Sequence, residues 1–142
     1  MPALSESEIE RYLPRLKAVF YAAGTVQPFA RPFMKRGVRI FSAWGANAVP
    51  VAETVVSEII LANKGFFQTL HRGGEAFWQE RYVGTPHVGN YNTSVGIIGA
   101  GMIGTMVIER LKQYKLNVKV FDVFMSEERA KELGVEKVNS LP

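Results

Sequence analysis

The sequence contains no cysteine and two histidines in 142 residues. Without a thiol there is no disulfide framework, no cysteine nucleophile and no cysteine-ligated zinc or iron–sulfur site, so redox chemistry would rest on a bound cofactor. Aspartate occurs once, as Asp122. Long apolar runs are also missing. Glu53, Glu58 and Lys64 interrupt the longest apolar stretch before it reaches the ~18 residues a membrane helix needs. Glu6, Glu8 and Glu10 stand where a secretory signal would be basic and then apolar. The expected setting is the cytoplasm, with no membrane partner. Charge of one sign is not concentrated either. The 17 Lys+Arg against 13 Asp+Glu give +4, but they are scattered from Arg11 to Lys137, and the densest group is only Lys35, Arg36 and Arg39. No helix gathers them on one face, which argues against a nucleic-acid partner. His71 and His87 have no motif around them and read as surface or packing residues, and no metal site is expected.

What is present is ordinary globular material. At 47% hydrophobic and 21% charged residues the chain can form a packed core, and its length suits one domain or parts of two. Ser5 and Glu8 have capping-box spacing, so a short helix should run from Ser5 to about Leu13 and stop at Pro14. Leu16 to Tyr21 is apolar except for Lys17 and reads as a strand buried on both faces of a parallel sheet. A turn at Ala22, Ala23 and Gly24, a helical crossover over Phe29 to Met34, and a second strand over Val38 to Phe41 complete a βαβ unit. From Val49 to Phe67, the residues Ala52, Val55, Val56, Ile59, Ile60, Ala62 and Phe66 recur at helical spacing, with Pro50 in the first turn where a missing N–H is harmless. Arg72 to Asn92 combines glycines with Phe77, Trp78 and Tyr82 and reads as a connector. The expected divisions are 1–48, 49–93 and 94–142.

The chemistry is concentrated near the end. Val95, Ile97 and Ile98 form a strand that runs into Gly99, Ala100, Gly101, Met102, Ile103 and Gly104, a G-x-G-x-x-G that opens a helix. The first glycine permits a tight turn, the second lets a pyrophosphate approach the backbone, and the third lets helix and strand pack closely. The helix should bury Ile103, Val107, Leu111 and Tyr114, and its N-terminal N–H groups favour a bound phosphate. A second strand over Val118 to Phe121 delivers Asp122 eighteen residues beyond Gly104, near the spacing of the acid that binds an adenosine ribose. A carboxylate there repels a 2′-phosphate, and Val123 and Phe124 supply no arginine to hold one, so NAD is favoured over NADP. FAD proteins share the pattern and stand second. The absence of Gly-Lys-Ser/Thr after the glycines excludes a P-loop. Ser126 should cap one more helix, with Glu127 and Lys131 paired and Gly134 ending it.

With these residues in place, the chain resembles the D-isomer-specific 2-hydroxyacid dehydrogenases. The resemblance rests on Ala46 to Glu53 at the start of the long helix, on Val95 to Gly104, and on Asp122 with the helix after it. It implies an α/β fold in which part of a flavodoxin-like substrate domain joins the first half of an NAD-binding Rossmann domain. It further implies cofactor contacts at Gly99, Gly101, Met102, Ile103, Gly104, Asp122 and Val51. The Ala23–Gly24 turn would receive the substrate carboxylate and Asn47 would border it, although Asn47 reads equally well as a helix cap. Met102 replaces a common arginine, and Ala23 to Pro28 departs from the pattern of many relatives. The substrate domain is expected to start at its second repeat. The family's catalytic arginine, glutamate and histidine follow the second Rossmann strand, and none is matched before Pro142, so this chain alone should not turn over. The full-length protein would be a homodimer that reduces a 2-keto acid with NADH, with exposed apolar surface and an unpaired sheet edge on the partial domain. An NAD-responsive module of corepressor type is the alternative.

Overall fold

A computed structural model of the chain describes residues 4–70 and 89–141. Its contacts divide it into two compact units, residues 1–49 and 50–142. The connector segment with His71 and His87 lies outside the described residues.

The first unit is the expected βαβ arrangement preceded by a helix. Helix α1 (Glu6–Tyr12) starts in a complete capping box. Glu8 N–H donates to Ser5 Oγ at 3.2 Å, and Ser5 N–H donates to Glu8 Oε2 at 2.8 Å, so two otherwise unpaired donors are satisfied reciprocally. Ser5 Oγ also donates to Glu8 Oε2 at 2.6 Å, and that bond first, with the one from Ser5 N–H, holds the Glu8 carboxyl below its ordinary pKa. Strand β1 (Ala18–Tyr21) pairs in parallel with β2 (Arg39–Ser42), Ala18 opposite Arg39 and Tyr21 opposite Ser42. Between them runs α2 (Gln27–Lys35), with a proline in its first turn. Ile9, Phe29, Phe33 and Val38 form the core, joined by Val19, Tyr21 and Ile40 from the strands. Tyr21 meets Phe29 edge-on with ring centroids 4.9 Å apart. The two-sided burial expected for β1 is not what the described residues show: Phe20 is 80% exposed. It stacks on Phe41 at 4.9 Å on the face that no described helix covers.

Helix α3 (Trp44–Asn63) begins five residues before the expected Val49. Asn47 N–H already donates to the Ala43 carbonyl at 2.8 Å, which closes a helical turn ahead of Pro50. Pro50 is therefore an interior proline, not a first-turn one, and Asn47 is a helical residue and not a cap. An interior proline removes one hydrogen bond and crowds the preceding turn at a cost of about 3 kcal/mol. Burial of Ala52, Val55, Val56, Ile59 and Ile60 in the second unit's core offsets that cost. Ala62 falls off this buried face and Phe66 is 39% exposed. By length and a mean hydropathy of 1.3, α3 is apolar enough to cross a membrane, contrary to the reading of its sequence. One face packs in the second unit's core as just described, Glu53 and Glu58 stand in mid-helix, and 11% of its membrane-length window is buried. Helix α4 (Phe66–Leu70) follows.

The second unit is built on a parallel sheet of order β3 (Ser94–Ile98), β4 (Asn117–Phe121) and β5 (Glu136–Lys137). Helix α5 (Met102–Leu111) links the first pair and α6 (Glu127–Leu133) the second. Residue Ser94 lies opposite Asn117 and Ile98 opposite Phe121, so both strands end at the same level. On one face Val107 and Leu111 pack with Ala52 of α3, and Ile108 packs with Val120, Met125, Ala130 and Leu133. Ile103 and Tyr114, expected inside, are 40% and 38% exposed. Ile108 takes the inward position instead, and Tyr114 lies beyond the last helical residue. Strand β5 was not anticipated, because two polar residues carry no periodic signal. It brings Lys137 within 3.3 Å of Glu127, which displaces the expected Glu127–Lys131 pair. Ser126 caps α6 by accepting from Arg129 N–H at 3.2 Å, and Gly134 ends it in the left-handed conformation at φ 70°.

Ile108 is 1% exposed between the helices and the sheet, whereas Phe124 is 94% exposed. Urea unfolding should show Ile108→Ala destabilised by roughly 2–5 kcal/mol. Phe124→Ala should fall within about 0.5 kcal/mol of the parent chain.

Candidate functional site

The glycine-rich turn occupies the carboxyl end of β3, where ligands of open parallel sheets bind. Gly99 has φ 86°, a conformation few side chains tolerate. Its N–H donates to the Phe121 carbonyl at 2.8 Å, anchoring the turn to the end of β4. Gly104 is required for a different reason. A Cβ there would lie 2.0 Å from the Gly99 carbonyl oxygen and 3.7 Å from Ile97 Cγ2. The helix can sit this close to the turn only without a side chain at that position. Gly101 differs again, since a Cβ built on it meets nothing within 4 Å. Space is left open there in front of the backbone.

Gly101 is also the cap of α5, and among the described residues no side-chain cap bond meets the helix's first donors. Thr105 N–H reaches the Gly101 carbonyl at 2.9 Å, so the N–H groups of Met102, Ile103 and Gly104 have no acceptor within the helix. With the helix dipole, they present a partial positive charge to the open space. Thr105 Oγ1 donates to the Ala100 carbonyl at 2.9 Å and braces the turn from behind.

Asp122 stands at the carboxyl end of β4, beside the turn. Its Oδ2 accepts from Ala100 N–H at 2.7 Å and its Oδ1 from Phe124 N–H at 2.8 Å. These bonds, that from Ala100 first, hold the carboxyl below its ordinary pKa. Desolvation opposes the effect, and the positive charge of Lys137 assists it. Each oxygen keeps acceptor capacity, because a carboxylate offers about four lone-pair sites. Val123 and Phe124 extend the rim as exposed apolar side chains. Gly99, Gly101, Met102, Ile103, Gly104 and Asp122 thus come together at the carboxyl ends of β3 and β4.

The other candidate residues are placed by their own units. In the first, Ser42 Oγ lies 2.8 Å from the Ala23 carbonyl and 2.6 Å from that of Gly24, which fixes the turn after β1. A Cβ on Gly24 would lie 3.9 Å from Asn47 Nδ2, so Asn47 flanks that turn. The bracing role of Ser42 was not foreseen; the only signal was a hydroxyl at the end of a parallel strand. Val51, on α3, is 39% exposed. Among the described residues no cluster of three His, Cys, Asp or Glu could hold a metal.

Strand, glycine turn, helix, strand and acid in this arrangement define a dinucleotide-binding α/β domain. The chain belongs to the D-isomer-specific 2-hydroxyacid dehydrogenase family: residues 57–142 match the description "D-isomer specific 2-hydroxyacid dehydrogenase, NAD binding domain". It is 30% identical over 106 residues to D-3-phosphoglycerate dehydrogenase of Archaeoglobus fulgidus, a match covering 74% of this chain and 20% of that protein. It is 26% identical over 136 residues to glyoxylate reductase of Korarchaeum cryptofilum, covering 94% of this chain and 41% of the relative. Among solved structures, apo D-mandelate dehydrogenase of Rhodotorula graminis superposes with a TM-score of 0.73 at 20% identity, covering 96% of this chain and 42% of that one. The NAD complex of formate dehydrogenase from Staphylococcus aureus gives 0.67 at 21% identity, covering 98% and 41%. The chain spans about a fifth of the length of the phosphoglycerate dehydrogenases it matches. NAD is the cofactor of the matched domain, and the corepressor-type alternative finds no support in these relatives.

Substituting the two helix-side glycines should separate packing from access. Gly104→Ala should lose roughly 1–3 kcal/mol of stability in urea, while Gly101→Ala should unfold within about 0.5 kcal/mol of the parent. Acid should act through Asp122. Its folded pKa is depressed, so its contribution is complete above its ordinary value near 3.8 and is lost as the pH falls through the folded value. Asp122→Asn should remove that part of the acid dependence of the unfolding midpoint.

Proposed function

We propose that the second unit binds the adenosine and pyrophosphate half of NAD, in a protein that reduces a small 2-keto acid to a D-2-hydroxy acid. The observation carrying this reading is the juxtaposition, at the carboxyl ends of β3 and β4, of the open backbone at Gly101, the N-terminus of α5 and the Asp122 carboxylate. The residues fit the cofactor. The Met102, Ile103 and Gly104 N–H groups suit a pyrophosphate, and the open side of Gly101 lets one reach the backbone without a clash. The remaining lone pairs of Asp122 suit two ribose hydroxyls, and its charge opposes a 2′-phosphate.

NADH, when bound, supplies the hydride for carbonyl reduction. This chain's own residues bind and orient. Val51 borders the nicotinamide, the Ala23–Gly24 turn braced by Ser42 offers backbone N–H groups to the substrate carboxylate, and Asn47 flanks that position. Val51, Ala23, Gly24, Ser42 and Asn47 carry no group that donates a proton near neutral pH, and the chain alone is expected to bind cofactor without turning over.

Calorimetry on the 142-residue chain should show NADH binding that Gly101→Val abolishes, because a branched side chain would fill the space in front of the backbone. NADH should bind at least about tenfold more tightly than NADPH, since like charges facing each other are strongly disfavoured. Absence of NADH binding by a chain with native circular dichroism would refute the site. Oxidation of NADH by this chain with any 2-keto acid would refute the assignment of proton donation elsewhere.

A further inference from the structure

Among the described residues, both oxygens of Asp122 are engaged by backbone N–H groups. Oδ2 takes the Ala100 N–H at 2.7 Å and Oδ1 the Phe124 N–H at 2.8 Å. Ala100 lies between the first two glycines of the turn, and Gly101 brings no side chain to cap α5. Glycine-rich backbone is conformationally permissive, so the Gly99–Gly101 peptides need outside anchors if the donors of α5 are to converge on one ligand. The anchors are few: Gly99 N–H on the Phe121 carbonyl, Thr105 Oγ1 on the Ala100 carbonyl, and the Asp122 carboxylate on Ala100 N–H. Only the last is charge-assisted, and such bonds are about twice as strong as neutral ones.

We propose that Asp122 is a positioning residue for the pyrophosphate turn as well as the ribose acceptor, its carboxylate holding the Ala100 peptide so that the two subsites form as one unit. The proposal rests on the nucleotide site described above and adds a coupling between its halves. One consequence concerns cofactor choice. Removing Asp122 to admit a 2′-phosphate would also loosen the grip on the pyrophosphate, so the two effects oppose each other.

Charge gives the test its direction. A carboxylate beside an anion site repels the anion, so an Asp122 that only read the ribose would, once neutralised, leave pyrophosphate affinity unchanged or raised. A positioning role predicts the opposite. Inorganic pyrophosphate, which has no ribose, and ADP would be titrated into the 142-residue chain and into Asp122→Ala and Asp122→Asn. Alanine accepts neither bond, whereas asparagine is isosteric and keeps one acceptor oxygen. Pyrophosphate affinity should fall about tenfold in Asp122→Ala, the scale of a lost bond to a charged group, and less in Asp122→Asn. Amide hydrogen exchange gives a second readout, independent of whether a variant folds: in the free parent chain the Ala100 N–H should be protected. Unchanged or tighter pyrophosphate binding by folded variants, or an unprotected Ala100 amide in the parent, overturns the positioning role while leaving the site intact. A folded parent that binds neither ADP nor pyrophosphate overturns the site and the proposal together.

Discussion

The second unit depends on one close approach, that of the first turn of α5 to the Gly99 carbonyl. With 2.0 Å between that oxygen and the place a Cβ would occupy on Gly104, the helix sits as near the strand end as backbone allows. This seating directs Val107, Ile108 and Leu111 onto the sheet, where they join both core clusters. It also aims the unsatisfied donors of the first turn out beyond the strand ends. Moving the helix outward to admit a side chain would disturb the packing below and the donors above at once. Stability and binding geometry therefore share a single constraint.

The second constraint is dimensional. A ten-residue helix rises about 15 Å, and a five-residue strand returns about 17 Å. A chain that leaves the glycine turn along α5 and returns along β4 thus comes back to the level at which it started. The register confirms this, Ile98 lying opposite Phe121. That is why, across 22 residues of separation, the Asp122 carboxylate meets Ala100 N–H at 2.7 Å. The spacing of the sequence pattern is a length condition on one helix and one strand, and any insertion between Gly104 and Asp122 would have to bulge out as a loop to preserve it.

What could be read in the sequence was what local chemistry decides. The capping box at Ser5 and Glu8, the cap at Ser126, the left-handed stop at Gly134 and the glycine turn each need only a few neighbouring residues, and each was legible. The misreadings arose where distant chain intervened. The start of α3 is set by the Ala43 carbonyl finding Asn47, which no cap residue announces, and Pro50 then falls in an interior that its own preference opposes. Glu127 pairs with Lys137, not Lys131, because β5 carries Lys137 alongside α6. The site was legible in its composition, since the glycines and Asp122 were named together. The two backbone bonds of Asp122 were not, because they depend on how the Ala100 and Phe124 peptides are turned.

The apolar side chains left in contact with solvent obey a rule of their own. Parallel sheets are ordinarily covered on both faces, and their strands are apolar on both. In the first unit the described helices cover the Val19, Tyr21 and Ile40 face, yet the opposite face carries the exposed rings of Phe20 and Phe41 beside Arg39. The two rings stack on each other, and the Arg39 guanidinium lies 5.9 Å from the Phe41 centroid, so part of their surface is shielded locally. In the second unit, Val95, Ile97, Val118 and Val120 face the helices, while Ile98 is 73% exposed on the other side. There the open face is partly polar, Lys119 pairing with Glu136 at 3.1 Å. Taking β1 as a strand buried on both sides was therefore wrong for the contacts among the described residues but sound for the composition. Side chains such as Phe20 are suited to a covered face, and each contributes of order 2 kcal/mol when it is buried. A strand's residues reflect the environment in which the whole sheet is stable, and in this chain half of that environment is supplied by helices whose sequence was legible.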